Sequence, residues 1–325
     1  MQLPSPRGPL TDRLVSTLRR PPRSTVPLEG TTGRDSHDEA LALWILHELH
    51  YRGFDDVDER WEWAPALASV RHDLELDLEQ RLRSDFAAHL DANGLVASVS
   101  GDDALDDVLT DLVERDDAPS LAEHLLSNGT AELVREVLRQ RSIYHLKEAD
   151  PTAWVVPRLS GRTKAALMEI QFDEYGAGRG DRVHQDLFAR GLEAADLSAD
   201  YGHYLSEART SVLEQNNAMS LFGLHRRLRG AALGHLAAFE ATSSLPSRTL
   251  ARALRRLGLP EELAEYYDEH VAADAVHEQL ALRDVCGALV QDEPHLRRDV
   301  VFGAWACLEL EARMARDLLQ HWDAA

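Results

Sequence analysis

The sequence predicts an all-α fold, and three observations support this prediction. Apolar residues recur at helical spacing along most of the 325-residue chain, and the alternation of Val, Ile and Thr that is typical of strands is almost absent. Glycine, proline or short polar clusters separate the helical segments. We therefore expect helix pairs joined by short loops, without an internal repeat.

The chain is predicted to have three segments. Residues 1–35 are rich in Pro and Arg and should form a mostly disordered tail with room for one short helix. Residues 36–128 should form N-terminal helices that pack on the core, and residues 129–325 should form the main domain. The main domain is predicted to contain helices over 129–148, 160–175, 181–193, 198–214, 216–241, 247–258, 260–280 and 294–322.

The composition of the chain argues against some classes of binding partner and of metal site. A formal net charge of -21 repels nucleic acid and anionic membranes, so neither is an expected partner. Neither a bilayer-spanning apolar run nor the apolar core of a signal peptide is visible, and the two cysteines, Cys286 and Cys307, form no CxxC pair. These features predict a cytoplasmic protein without thiolate metal sites. With 15 histidines in the chain, a metal should be bound by imidazole and carboxylate groups.

The segment 260–280 carries the clearest candidate metal ligands. Its helical spacing places His270, Asp274 and His277 on one stripe together with the apolar Leu263. The two imidazoles and the carboxylate should therefore point into the bundle, where unpaired polar groups are costly and a metal ion would satisfy all three. The alternative is a polar helix face on which the histidines occur by chance.

Further inward carboxylates are predicted on other helices. Glu174 ends a helix with an apolar stripe on the same face, and Glu240 shares its stripe with other leucines. The three glycines between Glu174 and His184 should break the helix, which could aim His184 at the same centre. Glu148 lies at a predicted helix C-terminus, where a carboxylate opposes the helix dipole. Each glutamate alone is typical of a solvated helix face, but the whole set matches the ligand count of a di-iron carboxylate site.

These residues resemble the heme-oxygenase-like di-iron oxidases, a family of iron-containing redox enzymes. The family pattern has a carboxylate and a His on an early core helix, a carboxylate on a middle helix, and His-x3-Asp/Glu-x2-His on a later one. The resemblance covers about residues 130–322 and implies six ligands, with Glu148 at the position of a seventh that only some members use. The matching positions are Glu174, His184, Glu240, His270, Asp274 and His277.

The resemblance implies a heme-oxygenase-like helical bundle, extended here by the N-terminal helices. It also implies two iron ions, O2 as co-substrate, and oxidation of a small organic molecule by N-oxygenation or by oxidative C–C or C–H chemistry. The electron donor stays open, and so does a homodimer. Two alternatives remain: a metal-binding helical protein without catalysis, and a cofactor-independent relative resembling thiaminase or pyrroloquinoline quinone synthase.

Residues near the predicted ligands are candidates for substrate contacts or for orienting the ligands. Tyr175, Phe222, Arg226 and Tyr267 are candidate substrate contacts, although aromatic residues at helical spacing are first of all core residues, and arginines in an acidic protein usually form surface ion pairs. The candidates for orienting the ligands are Asp173, Asp268, Glu278 and Tyr267, although each is first of all a structural residue. His145 is interpreted as an ordinary histidine. The HELH segment at 47–50 resembles a metal motif only superficially, because its helix supplies no further ligand.

Overall fold

The all-α prediction is confirmed by the structure, a computed structural model that describes residues 1–22, 35–101 and 103–324, with the side chains of 272–276 excepted. Helices make up 78% of the structure, and the described residues contain no strand. None of the described helices is both long enough and apolar enough to cross a bilayer.

The described residues form fifteen α-helices. The first seven are α1 Pro9–Leu18, α2 Ser36–Glu48, α3 Pro65–Asn93, α4 Val96–Ser100, α5 Leu105–Glu114, α6 Leu121–Asn128 and α7 Ala131–His145. The remainder are α8 Asp150–Ala153, α9 Gly161–Glu174, α10 His184–Ala194, α11 Thr210–Leu224, α12 Arg229–Arg256, α13 Glu261–Gln279, α14 Ala288–Asp292 and α15 Arg297–Ala324. A π-helical segment, Leu280–Gly287, joins α13 to α14.

Helix α12 is central, because it packs along both α13 and α15. Two glycines let the backbones of α12 and α15 touch. A Cβ atom at Gly234 would lie 1.9 Å from the carbonyl oxygen of Val300, and one at Gly303 would lie 1.9 Å from that of Ala231. Any larger residue at either position would force the two helices apart.

The N-terminal helices are integrated with the rest of the protein. Leu14 of α1 and Ile45 of α2 belong to the same buried cluster as Phe188 of α10. Within residues 1–35, α1 is a short helix of the kind that the sequence prediction allowed. Leu10, Leu14 and Leu18 form one apolar face of α1, which is buried against α2. Residues 23–34 lie outside the described residues, and the three-segment division stays a prediction.

Two of the predicted helix boundaries are wrong. Residues 198–214 and 216–241 were expected to be separate helices, but the chain runs through turns to α11 and breaks at His225. Arg158 explains this break, since its guanidinium donates to the carbonyl groups of Gly223 and Leu224 at the end of α11. Helix α12 also continues through Pro246, although the sequence predicted separate helices over 216–241 and 247–258.

Candidate metal centre

Helices α9, α10, α12 and α13 and the turn after α7 converge on one buried region. Six of the seven predicted ligands have described side chains, and all six lie there and are buried. They form two groups of potential metal ligands, and within each group the ligand atoms lie within 4.8 Å of one another. The first group is Glu148, His184 and His270, and the second group is Glu174, Glu240 and His277. Asp274 lies on α13, and its side chain is outside the described part of the structure.

The first group draws its members from three elements. Glu148 sits on the turn between α7 and α8, His184 is the first residue of α10, and His270 is in the middle of α13. His270 Nε2 lies 3.4 Å from Glu148 Oε1, and the rings of His184 and His270 have their centroids 4.6 Å apart. The turn thus places Glu148 against the two imidazoles.

The second group lies next to the first and shares a contact with it. His277 Nδ1 is 3.5 Å from Glu240 Oε2, which projects from the middle of α12. Glu174 belongs to this group, yet its Oε2 also lies 3.0 Å from Nδ1 of His184 in the first group. Glu174 is therefore the side chain through which the two groups meet.

The contact between Glu174 and His184 depends on a glycine break in the chain. Gly176, Ala177 and Gly178 all have positive φ angles, of 74°, 52° and 82°, so the backbone cannot continue α9 and turns back. A side chain at Gly176 would also collide with the backbone of Arg182. The break expected from the sequence is present, and it returns the chain so that α10 begins beside the end of α9.

Several ligand atoms in the two groups are buried without a hydrogen-bond partner among the described residues. They are Glu174 Oε2, His184 Nδ1, His270 Nε2 and His277 Nδ1. Such atoms cost free energy unless something satisfies them, and here nitrogen and carboxylate oxygen atoms face one another without hydrogen-bonding geometry. Divalent metal ions placed among them would accept all four lone pairs, and the mixed imidazole and carboxylate donors suit iron. The residues present therefore fit a pair of iron ions.

The outer nitrogens of two histidines are already oriented. Nδ1 of His270 lies 2.9 Å from the carbonyl oxygen of Tyr266, and Nε2 of His277 lies 3.1 Å from Oδ2 of Asp173. With a proton on each of these outer nitrogens, the other nitrogen of each ring directs its lone pair toward its group. Asp173 thus occupies the orienting position that the sequence suggested for it.

Glu148 is more closely surrounded than its sequence position suggested. The Tyr266 hydroxyl lies 3.0 Å from both carboxylate oxygens, and His145 Nδ1 lies 3.1 Å from Oε1. The pKa of Glu148 is held well below its usual range, because His270 and His145 outweigh the opposing effect of burial. His145, interpreted from sequence as ordinary, is a neighbour of the site, and its i,i+3 spacing to Glu148 was the available signal.

The carboxylates also control the charge of the histidines when no metal is bound. Burial by itself lowers the pKa of both imidazoles, but Glu148 raises the pKa of His270 to about 10 and Glu240 raises that of His277 to about 9. Both rings are therefore protonated at neutral pH in the metal-free protein. These protons must leave before the rings can bind a metal.

A pH dependence of stability follows for the metal-free protein. Because the folded-state pKa values are raised, the stabilisation is complete below the unfolded-state value of about 6.5 and is lost as the pH rises through about 9 and 10. Chelator-treated protein should unfold at a lower temperature at about pH 10 than at about pH 7. Metal-loaded protein should show a smaller difference, measured by circular dichroism. Equal melting temperatures for the metal-free protein at both pH values would contradict this charge state.

A cavity reaches both groups. Its apolar wall includes Met219, Phe222 and Phe239, and two buried polar side chains, Gln171 and His235, also line it. Gln171 Oε1 and His235 Nε2 have no hydrogen-bond partner among the described residues. Neither residue is among those predicted from the sequence, although Gln171 lies one helical turn before Glu174.

Only one of the four predicted substrate contacts lines this cavity, and that residue is Phe222. Arg226 is exposed on the surface, where its neighbours Arg227 and Arg229 form ion pairs with Glu79 and Glu293. Tyr267 lines a separate cavity, and the Tyr175 hydroxyl donates to Asp150. Arg226, Tyr267 and Tyr175 do not line this cavity, and their assignment as substrate contacts stays a prediction.

The chain is similar to known proteins in its fold and in its sequence. Two solved structures of a CadD-like protein of unknown function from Nostoc punctiforme PCC 73102 are similar, with TM-scores of 0.53 and 0.52 and identities of 20% and 18%. Each covers 67% of this chain, and the match includes 96% and 94% of the respective solved chain. No curated protein sequence matches the chain.

A family model also matches the sequence of this chain. The sequence model described as iron-containing redox enzyme matches residues 135–312, which is more than half of the chain and includes all seven predicted ligands. The predicted heme-oxygenase-like bundle is confirmed by this match together with the all-helical solved structures. On this basis the chain belongs to the family of iron-containing redox enzymes.

Proposed function

We propose that this protein is a non-heme di-iron oxidoreductase that uses O2 to oxidise a small organic substrate. The observation that carries the proposal is the pair of adjacent buried ligand groups that meet at Glu174. A single metal ion would leave one group unsatisfied, and a surface ion-pair cluster would not be buried. Two bound iron ions would supply the electrons needed to reduce O2.

The protein residues would contribute charge, orientation and exclusion of water. Glu148, Glu174 and Glu240 place three carboxylates in a buried region, where they favour divalent cations over an empty site. Tyr266 and Asp173 hold His270 and His277 through their outer nitrogens. The site is therefore largely formed by the protein before a metal enters it, as efficient metal binding requires.

The cavity beside the two groups would bind the substrate. Its apolar wall of Met219, Phe222 and Phe239 suits a hydrocarbon portion, and the unsatisfied groups of Gln171 and His235 suit one polar group of the substrate. Burial lowers the pKa of His235 to about 4, so this ring is neutral at neutral pH and can donate or accept a hydrogen bond.

A cytoplasmic location forms part of the same proposal. Both cysteines are free and buried, as expected for a chain that folds without disulfides. A reducing compartment would also keep iron in the divalent state that the site needs before it meets O2.

The test is anaerobic loading with Fe(II) followed by mixing with air-saturated buffer. We expect about two irons per chain by elemental analysis and rapid O2 uptake that a suitable substrate from a panel of small amines and acids accelerates. Two bound irons without substrate-dependent O2 uptake would favour the non-catalytic alternative. Activity in rigorously metal-free protein would favour a cofactor-independent relative, and either result would overturn the proposal.

A further inference from the structure

The HELH segment has a role in the structure that its histidines did not suggest. It lies outside the part of the chain that the family model matches, yet side chains from residues 48–52 contact the chain directly beside two residues of the first group. The contacts come from Glu48 and Arg52, which are one helical turn apart. The backbone N–H of Arg52 donates to the side-chain Oε1 of Glu48 at 3.2 Å, which ties the two residues together.

Glu48 holds the turn that carries Glu148. Its Oε2 lies 3.3 Å from Nζ of Lys147, the residue directly before Glu148, and both side chains are buried. The Tyr201 hydroxyl donates to the same oxygen at 2.7 Å, and the Lys147 ammonium lies 4.2 Å from the ring centre of Tyr51. A buried, fully partnered ion pair of this kind specifies one arrangement of the chain, since moving either partner would leave a charge unpaired.

Arg52 joins two separate ligand-bearing segments. Its Nη2 atom donates to the carbonyl oxygen of Leu146 at 2.8 Å and to Oε1 of Gln185 at 2.9 Å. Leu146 lies two residues before Glu148, and Gln185 directly follows His184. One guanidinium group therefore spans the gap between the two segments that bring a carboxylate and an imidazole to the first group.

We propose that Glu48 and Arg52 are positioning residues for the first group, and that they set the separation of Glu148 and His184 so that both face His270. This inference rests on the proposed function, because it assumes that the first group binds a metal ion. The contacts of Glu48 and Arg52 fall directly beside Glu148 and His184, and both of these residues belong to the first group. The proposed effect is therefore confined to one of the two metal positions.

The experiment measures each metal position by itself. In a His277→Ala background the first group should hold the remaining metal, and in a His270→Ala background the second group should hold it. Arg52→Ala is introduced into both, and Co(II) is titrated anaerobically by calorimetry and visible absorption. We expect the Co(II) affinity to fall about tenfold in the first background and to stay unchanged in the second.

Two further variants separate positioning from general stability. Arg60→Ala removes an exposed arginine whose ion pair with Asp58 stays within its own loop, so it should change neither Co(II) affinity. Arg52→Lys keeps the charge and one donor direction and should recover part of the affinity. Because the Arg52 side chain is exposed, the metal-free Arg52→Ala protein should melt at the same temperature as the Arg60→Ala protein.

The results distinguish failure of this inference from failure of the proposed function. If the unaltered protein binds fewer than two Co(II) or Fe(II) ions, the di-iron proposal fails. If it binds two, and Arg52→Ala weakens neither position or weakens both equally, the di-iron proposal stands and the positioning role is overturned. A lower affinity in the His277→Ala background alone supports the inference.

Discussion

Glu174→Gln is expected to remove both irons rather than one. Glu174 belongs to the second group, and its Oε2 also lies 3.0 Å from His184 in the first. The neutral amide keeps the shape of the side chain but loses the negative charge and one of the two acceptor oxygens. Elemental analysis after Fe(II) loading should therefore give well below one iron per chain, and O2 uptake should be lost.

The matched control is Glu240→Gln, the same change in a buried glutamate that belongs to the second group only. This variant should keep about one iron per chain. Circular dichroism should show equal helix content in both variants, since neither change alters a helix propensity by much. If both variants retain about one iron per chain, Glu174 contributes to one metal position only, and the prediction that it contributes to both is wrong.

His277→Ala is expected to abolish substrate-dependent O2 uptake while the protein keeps its fold. His277 supplies the only imidazole of the second group among the described residues, and its outer nitrogen is already engaged by Asp173. Loss of this ring should lower the iron content from about two per chain to about one. Oxidation of one remaining iron from Fe(II) to Fe(III) would supply only one of the two electrons that a pair of irons would give to O2.

Alanine at an exposed histidine provides the control for His277→Ala. His203 lies on the surface, so His203→Ala should leave iron content and O2 uptake at the level of the unaltered protein. Iron content and O2 uptake should be measured on the same preparation, because a variant that has lost its fold would lose both. Full iron content in His277→Ala would contradict the second group as a metal position.

Much of the candidate site could be predicted from the local spacing of residues along the chain. His270 and His277 share a stripe with buried residues of α13, and this can be read from the i,i+3 and i,i+4 pattern alone. The return of the chain from Glu174 to His184 could be predicted because three glycines have few other uses between two helices. Ligation by these residues stays a prediction, but their convergence follows from the fold.

Other parts of the site depend on contacts that no local pattern contains. Tyr266 and Tyr267 are adjacent and differ by about 100° around the helix axis. A small error in the predicted orientation of the helix was therefore enough to select Tyr267, which lines another cavity, instead of Tyr266, which contacts Glu148. The end of α11 is set by Arg158, which lies far away along the chain. Arg52 is equally remote from the segments it joins.

The direct backbone contact between α12 and α15 has a mechanical consequence. Gly234 and Gly303 leave no compressible side chain between these helices, so α12 and its Glu240 form a stiff wall of the site. Glu148, by contrast, sits on a turn between two helices, and Glu174 precedes a glycine bend. If two metal ions were bound and their spacing changed, we would therefore expect the Glu148 and Glu174 side to move and the α12 side to keep its place.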